Sequence, residues 1–440
     1  MKRGATGRGG FVLFVSLGAN WRAEGRLTSC ALGEGGEIGR MSYQPSQALL
    51  DKYADVLINF ALNSGDGVKP GEVVQLRVPE VAKPLLVALR RAVLKAGAHP
   101  LIFMTPDDMD REYFELANEA QLAFFAESYN RGIIEQIDHT VAIRGATDMR
   151  ELAGIPSHKI MAAQKAMKPY MEWKRAKESA GKYTWTLALY GTQAMADEVG
   201  MSLEDYWEQI IEACLLKEES PAGEWKRIYE KMYQIRDALD AMPIERLHVV
   251  AADTDLWVKL GDDRKWLGGS GRNIPSFELF ISPDWRGTEG RIQFTEPLYR
   301  YGSLIKDAYL EFKDGRVVKA TASEGEELLR DMIAVENADK VGEFSLTDRR
   351  FSRITKFMGL TLYDENVGGK YGNTHVAVGS AYRDSFPGDQ SALTDEDWEA
   401  RGYNNSVVHT DIVATSNRVV TAHLKDGSTV VIYRDGEFQV

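Results

Sequence analysis

Cysteine is nearly absent: the 440-residue chain carries two, Cys30 and Cys214. A disulfide framework and a thiolate zinc site both need more sulfur, so any bound metal must rely on oxygen and imidazole ligands. Such donors favour ions such as zinc, cobalt or manganese. Histidine is scarce as well, at seven. Basic residues are outnumbered, with 53 Lys and Arg against 65 Asp and Glu and a formal net charge of -12. That balance argues against nucleic acid or an anionic membrane as a partner, since both need a concentrated basic surface. No stretch is apolar for long enough to span a bilayer. A Gly-rich phosphate turn is missing after the first strand, where Pro79-Glu80-Val81-Ala82-Lys83 puts an acid in the pyrophosphate position. A Gly-x-Ser-x-Gly elbow, a cysteine beside a base and His-Glu-x-x-His spacing are missing too, which weakens the serine, cysteine and zincin hydrolase classes.

What is present fits a soluble globular chain, with 44% hydrophobic and 27% charged residues. The length exceeds one ordinary core and predicts two domains. Residues 1–40 stand apart. Lys2, Arg3 and Arg8 precede an apolar run at 11–19 in the manner of a secretory signal, and Leu27-Thr28-Ser29-Cys30 resembles a lipoprotein cleavage box. A charged segment at 22–26 separates the two, so these residues are read as an upstream extension with Met41 as the functional start. The expected location is the cytoplasm.

From Met41 the pattern becomes regular. Leu49, Leu50, Tyr53, Val56, Leu57 and Phe60 recur at helical spacing. A β-branched run at 73–78, a helix at about 81–96 closed by Gly97 and a strand at 100–104 make a βαβ unit, hence a parallel sheet. A helix near 111–126, a strand near 140–144, a helix near 158–176 and a strand at 184–190 continue the alternation. Residues 202 to about 242 read as helical, opened by a Ser202/Asp205 capping box. After Pro243 strand-like runs dominate, joined by Asp-Gly turns at Asp314-Gly315, Asp426-Gly427 and Asp435-Gly436, with one helix at about 324–338. The expected architecture is an α/β N-terminal domain, 41–242, with a mainly parallel sheet, then a C-terminal α+β domain, 243–440, rich in antiparallel strands.

Residues that carry chemistry concentrate in the second half. His409 and Asp411 sit two apart in an apolar run; on a strand they share a face, either as metal ligands or as a hydrogen-bonded pair. His375 follows Gly368, Gly369 and Gly372, which suits a ligand at a site mouth or an ordinary strand-end histidine. Tyr382, seven residues on, offers a phenol to a bound carbonyl or simply packs. Glu278 and Glu343 lie among apolar residues and need a cationic neighbour if buried; otherwise they face solvent from an edge strand. The cluster Asp364-Glu365-Asn366 is open between the same alternatives.

Taken in order, these segments resemble the thermophilic-type dinuclear metal aminopeptidases, the group of aminopeptidase T, aminopeptidase S and PepS. The matching stretches are Asn273-Ile274-Pro275 leading to Glu278, Gly342-Glu343, Leu362-Tyr363-Asp364-Glu365-Asn366, Gly372-Asn373-Thr374-His375 through Gly379, and Ser406-Val407-Val408-His409-Thr410-Asp411. The similarity spans about 41–440. It implies that the C-terminal domain carries two adjacent divalent ions, zinc, cobalt or manganese, at Glu278, Glu343, His375, His409 and Asp411. It implies Tyr382 as the active-site tyrosine. Glu343 stays open between ligand and general base, and Glu365 has no assigned role. The implied reaction removes N-terminal residues from peptides with a water activated between the ions, the tyrosine donating to the oxyanion. Implied partners are peptides with a free N-terminus and a second copy of the chain in a homodimer. Readings from other classes are a metal-dependent amidohydrolase acting on a non-peptide amide and a non-catalytic relative that only binds.

Overall fold

The alternation before residue 190 builds a four-stranded parallel sheet in the order His99–Thr105, Val73–Pro79, His139–Arg144, Thr184–Leu189. A computed structural model describes residues 43–300 and 303–440. The apolar run at 11–19, the box at Cys30 and the start at Met41 lie outside the described residues. Helix Lys83–Lys95 carries the chain back between the first two strands, and Gly97 turns it with φ 76°. That left-handed conformation costs glycine nothing, which is why the helix ends there. Among the described residues no helix is long and apolar enough to cross a membrane.

Several expected helices are broken where local chemistry competes. The segment read as one helix near 111–126 is two, Asp110–Leu116 and Glu119–Leu122, and a further helix, Glu127–Gln136, follows it. Ala117 is extended, and Asn118 opens a new helix through a reciprocal capping box with Gln121. The helix near 158–176 is two, Ser157–Ala166 and Lys168–Ser179, parted at Met167 before a proline that suits the first turn of the second. Residues 202–242 form Leu203–Ala213 and Pro221–Asp240. Ser202 caps the first by accepting from the Asp205 amide, but the Asp205 carboxylate takes the Ser202 hydroxyl, so the reciprocal half of the box is not made. Two of the three Asp-Gly pairs are tight turns with both residues at positive φ, Asp314-Gly315 and Asp435-Gly436. Asp426-Gly427 belongs to a longer loop, because the Asp426 carboxylate accepts from the Ser428 amide at 2.9 Å. The helix expected at 324–338 is the shorter Glu326–Ala334.

The second half is antiparallel. An eight-stranded sheet runs Arg316–Thr321, Tyr309–Lys313, Glu289–Gln293, Thr254–Lys259, Ile244–Ala251, Val419–Leu424, Thr429–Arg434, Glu437–Phe438. A separate four-stranded sheet runs His409–Ala414, Asn373–Gly379, Val341–Thr347, Glu278–Ile281. Every residue of its two central strands is buried, so the sheet is covered on both faces. One continuous core joins the halves. Within it Trp225 stacks between Phe60 and Phe277, with ring centroids 5.9 and 4.9 Å away. Ring packing of this kind adds about 0.5–1.5 kcal/mol to each pair beyond area burial. It ties the first helix, through helix Pro221–Asp240, to the residue before Glu278.

Candidate metal centre

Register decides which side chains meet. Across the small sheet Phe280 pairs with Ser345, Ser345 with His375, and His375 with Val413. Positions two residues along a strand share its face, which brings Glu278, Glu343, His409 and Asp411 to the face of His375. Between these charged residues the same face carries Ser345, Ala377 and Gly379, whose small side chains leave the heads room to converge. A bulge at Gly342 re-aims Glu343. A Cβ on Gly342 would stand 2.3 Å from the Ser380 carbonyl oxygen, so only glycine fits.

All five metal-site candidates gather here. His375 Nε2 lies 2.9 Å from Glu343 Oε1, 3.5 Å from Glu278 Oε2 and 3.8 Å from Asp411 Oδ1. His409 Nε2 lies 3.3 Å from Asp411 Oδ1 and 3.6 Å from Glu343 Oε2. The ligand atoms form two triads, Glu278–Glu343–His375 and Glu343–His409–Asp411, each within 4.8 Å. Glu343 belongs to both, offering one oxygen toward each imidazole. Bonds of about 2.0–2.2 Å hold an ion's ligand atoms roughly 3–4 Å apart, and two oxygens with one imidazole suit a borderline divalent ion. Both triads therefore fit a metal. The His409 Nδ1–H donates to the Ser380 carbonyl at 2.8 Å, which leaves Nε2 toward the carboxylates, as a ligating histidine requires.

Crowded carboxylates shift one another. Burial pushes the Glu278 carboxyl up to about 8, against the pull of His375 and with Glu343 and Asp411 adding to it. Burial pulls the His375 imidazole down, but the Glu343 hydrogen bond and the charges of Glu278, Glu343 and Asp411 outweigh it and raise it to about 9. His409 rises to about 10, because Asp411 and Glu343 overcome burial in the same way. Asp411 is held well below the usual carboxylate range: burial opposes this, and the two imidazoles prevail. A buried acidic cluster of this kind needs positive charge beside it.

The structure also sorts the residues that sequence left open. Glu278 is buried, not turned to solvent, and accepts from the Ser276 hydroxyl at 3.4 Å. His375 is in mid-strand and 1% exposed, so it does not sit at a mouth. The rim belongs to Tyr382, 43% exposed, whose ring meets His409 at 4.8 Å and Phe280 at 5.7 Å. In the 364–366 cluster the three residues part company. Asp364 accepts from the Met358 amide at 2.6 Å. Glu365 lines one small cavity with Asp411, and burial followed by the Glu278 and Asp411 charges pushes its carboxyl well above the usual range. Asn366 braces the backbone before Glu278. Sequence reading missed Arg300, which donates to the His409 carbonyl at 3.4 Å and helps to lower Asp411. It sits in no motif, and only tertiary proximity reveals it.

Comparison with known proteins agrees with this geometry. The family model described as thermophilic metalloprotease (M29) matches residues 46–438. Aminopeptidase PepS of Streptococcus thermophilus is 27% identical, covering 89% of this chain and 98% of its own. Aminopeptidase T of Thermus thermophilus is 28% identical over 89% of this chain and 98% of its own. The solved structure of wild-type AmpT from Thermus thermophilus has the same fold, with TM-score 0.77 at 24% identity over 89% of this chain and 99% of that one. A match over residues 46–438 shows that this protein is a member of the M29 thermophilic metalloprotease family.

Proposed function

We propose that this protein is a metal-dependent aminopeptidase that removes N-terminal residues from peptides at a centre of two divalent ions, zinc, cobalt or manganese. One observation carries the reading: the Glu343 carboxylate is shared by the two ligand triads, with Glu278 and His375 on one side and His409 and Asp411 on the other. Relatives named as aminopeptidases over almost their full length support it. Bound there, the ions supply Lewis acidity toward a peptide carbonyl and a water molecule.

The protein's own residues do the rest. Glu343, with one oxygen toward each triad, would hold the ions, which leaves the base's role to another carboxylate. Glu365, buried beside Asp411 and outside both triads, takes the proton from water and returns it to the leaving amine. Tyr382, at the rim, donates its phenol hydrogen to the oxyanion that develops on the carbonyl. The surrounding carboxylates attract the substrate's free α-amine.

The working unit is a homodimer, and a cytoplasmic location and a division of labour at about residue 242 belong to the same proposal. Support for the dimer comes from the edge strand His99–Thr105, where Leu101, Ile102, Phe103 and Met104 are 40, 51, 36 and 43% exposed. An apolar edge strand with no partner strand beyond it among the described residues invites one. The deciding experiment is hydrolysis of leucine-p-nitroanilide by chelator-stripped protein before and after addition of cobalt or zinc, beside His409→Ala. Metal-restored turnover by wild type alone supports an aminopeptidase at this centre. Turnover of acylated amides with none of free N-termini favours a non-peptide amidohydrolase, and none at all a binding protein.

A further inference from the structure

A cleft of about 1150 Å³ opens beside the centre. Phe280 lines it, lies on the strand and face of Glu278, and meets the Tyr382 ring. Opposite Phe280 runs Leu267, which exchanges both backbone hydrogen bonds with it at 2.8 and 2.9 Å. Two residues earlier, Lys265 is clamped by Ser385: its amide donates to the Ser385 carbonyl, and its carbonyl accepts from the Ser385 hydroxyl, both at 2.8 Å. Ser385 closes the turn that begins at Tyr382. The Lys265 backbone is thus fixed to the metal-site strand and to the tyrosine turn, and its side chain lines the cleft.

The cations of the cleft are not equivalent. Arg272 is held between Glu178 and Asp384, at 2.9 and 2.7 Å. Arg383 pairs with Asp395 at 2.8 Å and Arg236 with Asp237 at 2.9 Å. Arg175 and Lys265 have no ion-pair partner among the described residues; Arg175 is exposed, whereas Lys265 is half-buried and its charge helps to lower Asp384. A half-buried ammonium without a partner has charge to spare for a ligand. The polarity runs one way: carboxylates at the centre attract an amine, and a free cation in the adjoining cleft attracts an anion. A short peptide in its zwitterionic form has that polarity from its first residue to its last.

We propose that Lys265 is a specificity residue that binds a carboxylate on the leaving-group side of the peptide, either the C-terminal carboxylate of a short peptide or an acidic side chain. The inference rests on the aminopeptidase reading above.

The test measures KM and kcat for leucyl peptides of two to five residues, each as free acid and as C-terminal amide. A second arm compares Glu with Gln after the leucine. Wild type, Lys265→Arg and Lys265→Met are run side by side. In wild type, neutralising the recognised carboxylate raises KM roughly tenfold, the worth of one charge-assisted hydrogen bond, with kcat nearly preserved. Lys265→Arg keeps the contrast and Lys265→Met abolishes it. The readout is a ratio within each protein, so a general loss of active enzyme does not imitate it. The arm that shows the contrast names the source of the carboxylate. Equal KM for charged and neutral peptides in wild type, or a contrast that survives in Lys265→Met, overturns the proposal while leaving the aminopeptidase reading intact. Failure of wild type to cleave any of these peptides or leucine-p-nitroanilide sinks both.

Discussion

The Asn366 side-chain oxygen accepts the Phe277 amide hydrogen at 2.7 Å, while its Nδ2 donates to the Leu362 carbonyl at 3.2 Å. Through this buried side chain the turn that carries Glu365 holds the residue directly before Glu278. Asn366→Ala leaves the Phe277 amide buried without a partner, a cost of about 1–3 kcal/mol. Denaturant unfolding is expected to show that loss, and equilibrium dialysis about a 10–100-fold weaker metal affinity, the range for a lost supporting contact. An unfolding loss with unchanged metal affinity removes Asn366 from the support of the site.

Glu343 and Glu365 should separate cleanly. Glu343→Gln removes the shared negative charge from both triads and an oxygen from one, so metal content after dialysis falls together with activity. Glu365→Gln keeps the metal but removes the proton carrier, and kcat falls by about 10²–10⁴-fold. Elemental analysis of the dialysed variants beside their kcat values distinguishes the two roles. Retained metal in Glu343→Gln, or lost metal in Glu365→Gln, reverses the assignment.

Gly342→Ala tests the bulge. The new Cβ would stand 2.3 Å from the Ser380 carbonyl oxygen and 2.6 Å from that of Gly379, both backbone atoms where strand Asn373–Gly379 ends. Overpacking of this kind costs about 1–3 kcal/mol and swings Glu343 off its triads. Lower stability together with weaker metal binding is expected; wild-type metal affinity would show that the bulge does not aim the carboxylate.

Much of this centre was legible because strand chemistry has a short period. His409 and Asp411 share a face as their two-residue spacing predicts, and the order of the motifs pointed to Glu278, Glu343 and His375, which lie on that same face. Whether Glu278 faced solvent or the core was not legible, since its burial depends on Thr347 and Leu346, paired with it and its neighbour from 69 and 67 residues away. The breaks at Ala117 and Met167 were missed because an Asn cap and a Pro in a first turn outweighed continuous helical periodicity. Lys265 carried no signal at all. It sits outside regular strands, and its position comes from Ser385, 120 residues on.

The edge strand gives a test of assembly. Ile102 is 51% exposed on the outermost strand of the parallel sheet. Ile102→Lys puts a charge on that edge, a device that blocks strand pairing. Light scattering should report a dimer for wild type and a monomer for the variant. A wild-type monomer removes the homodimer, and a dimeric variant moves the interface elsewhere.

The most direct measurement is a zinc titration of chelator-stripped protein, with bound zinc and leucine-p-nitroanilide hydrolysis followed in the same samples. The shared Glu343 predicts two ions per chain in wild type, with activity rising as they fill, and fewer than two in His409→Ala. Wild type that binds no more zinc than His409→Ala, or that reaches full activity with both triads empty, contradicts the account.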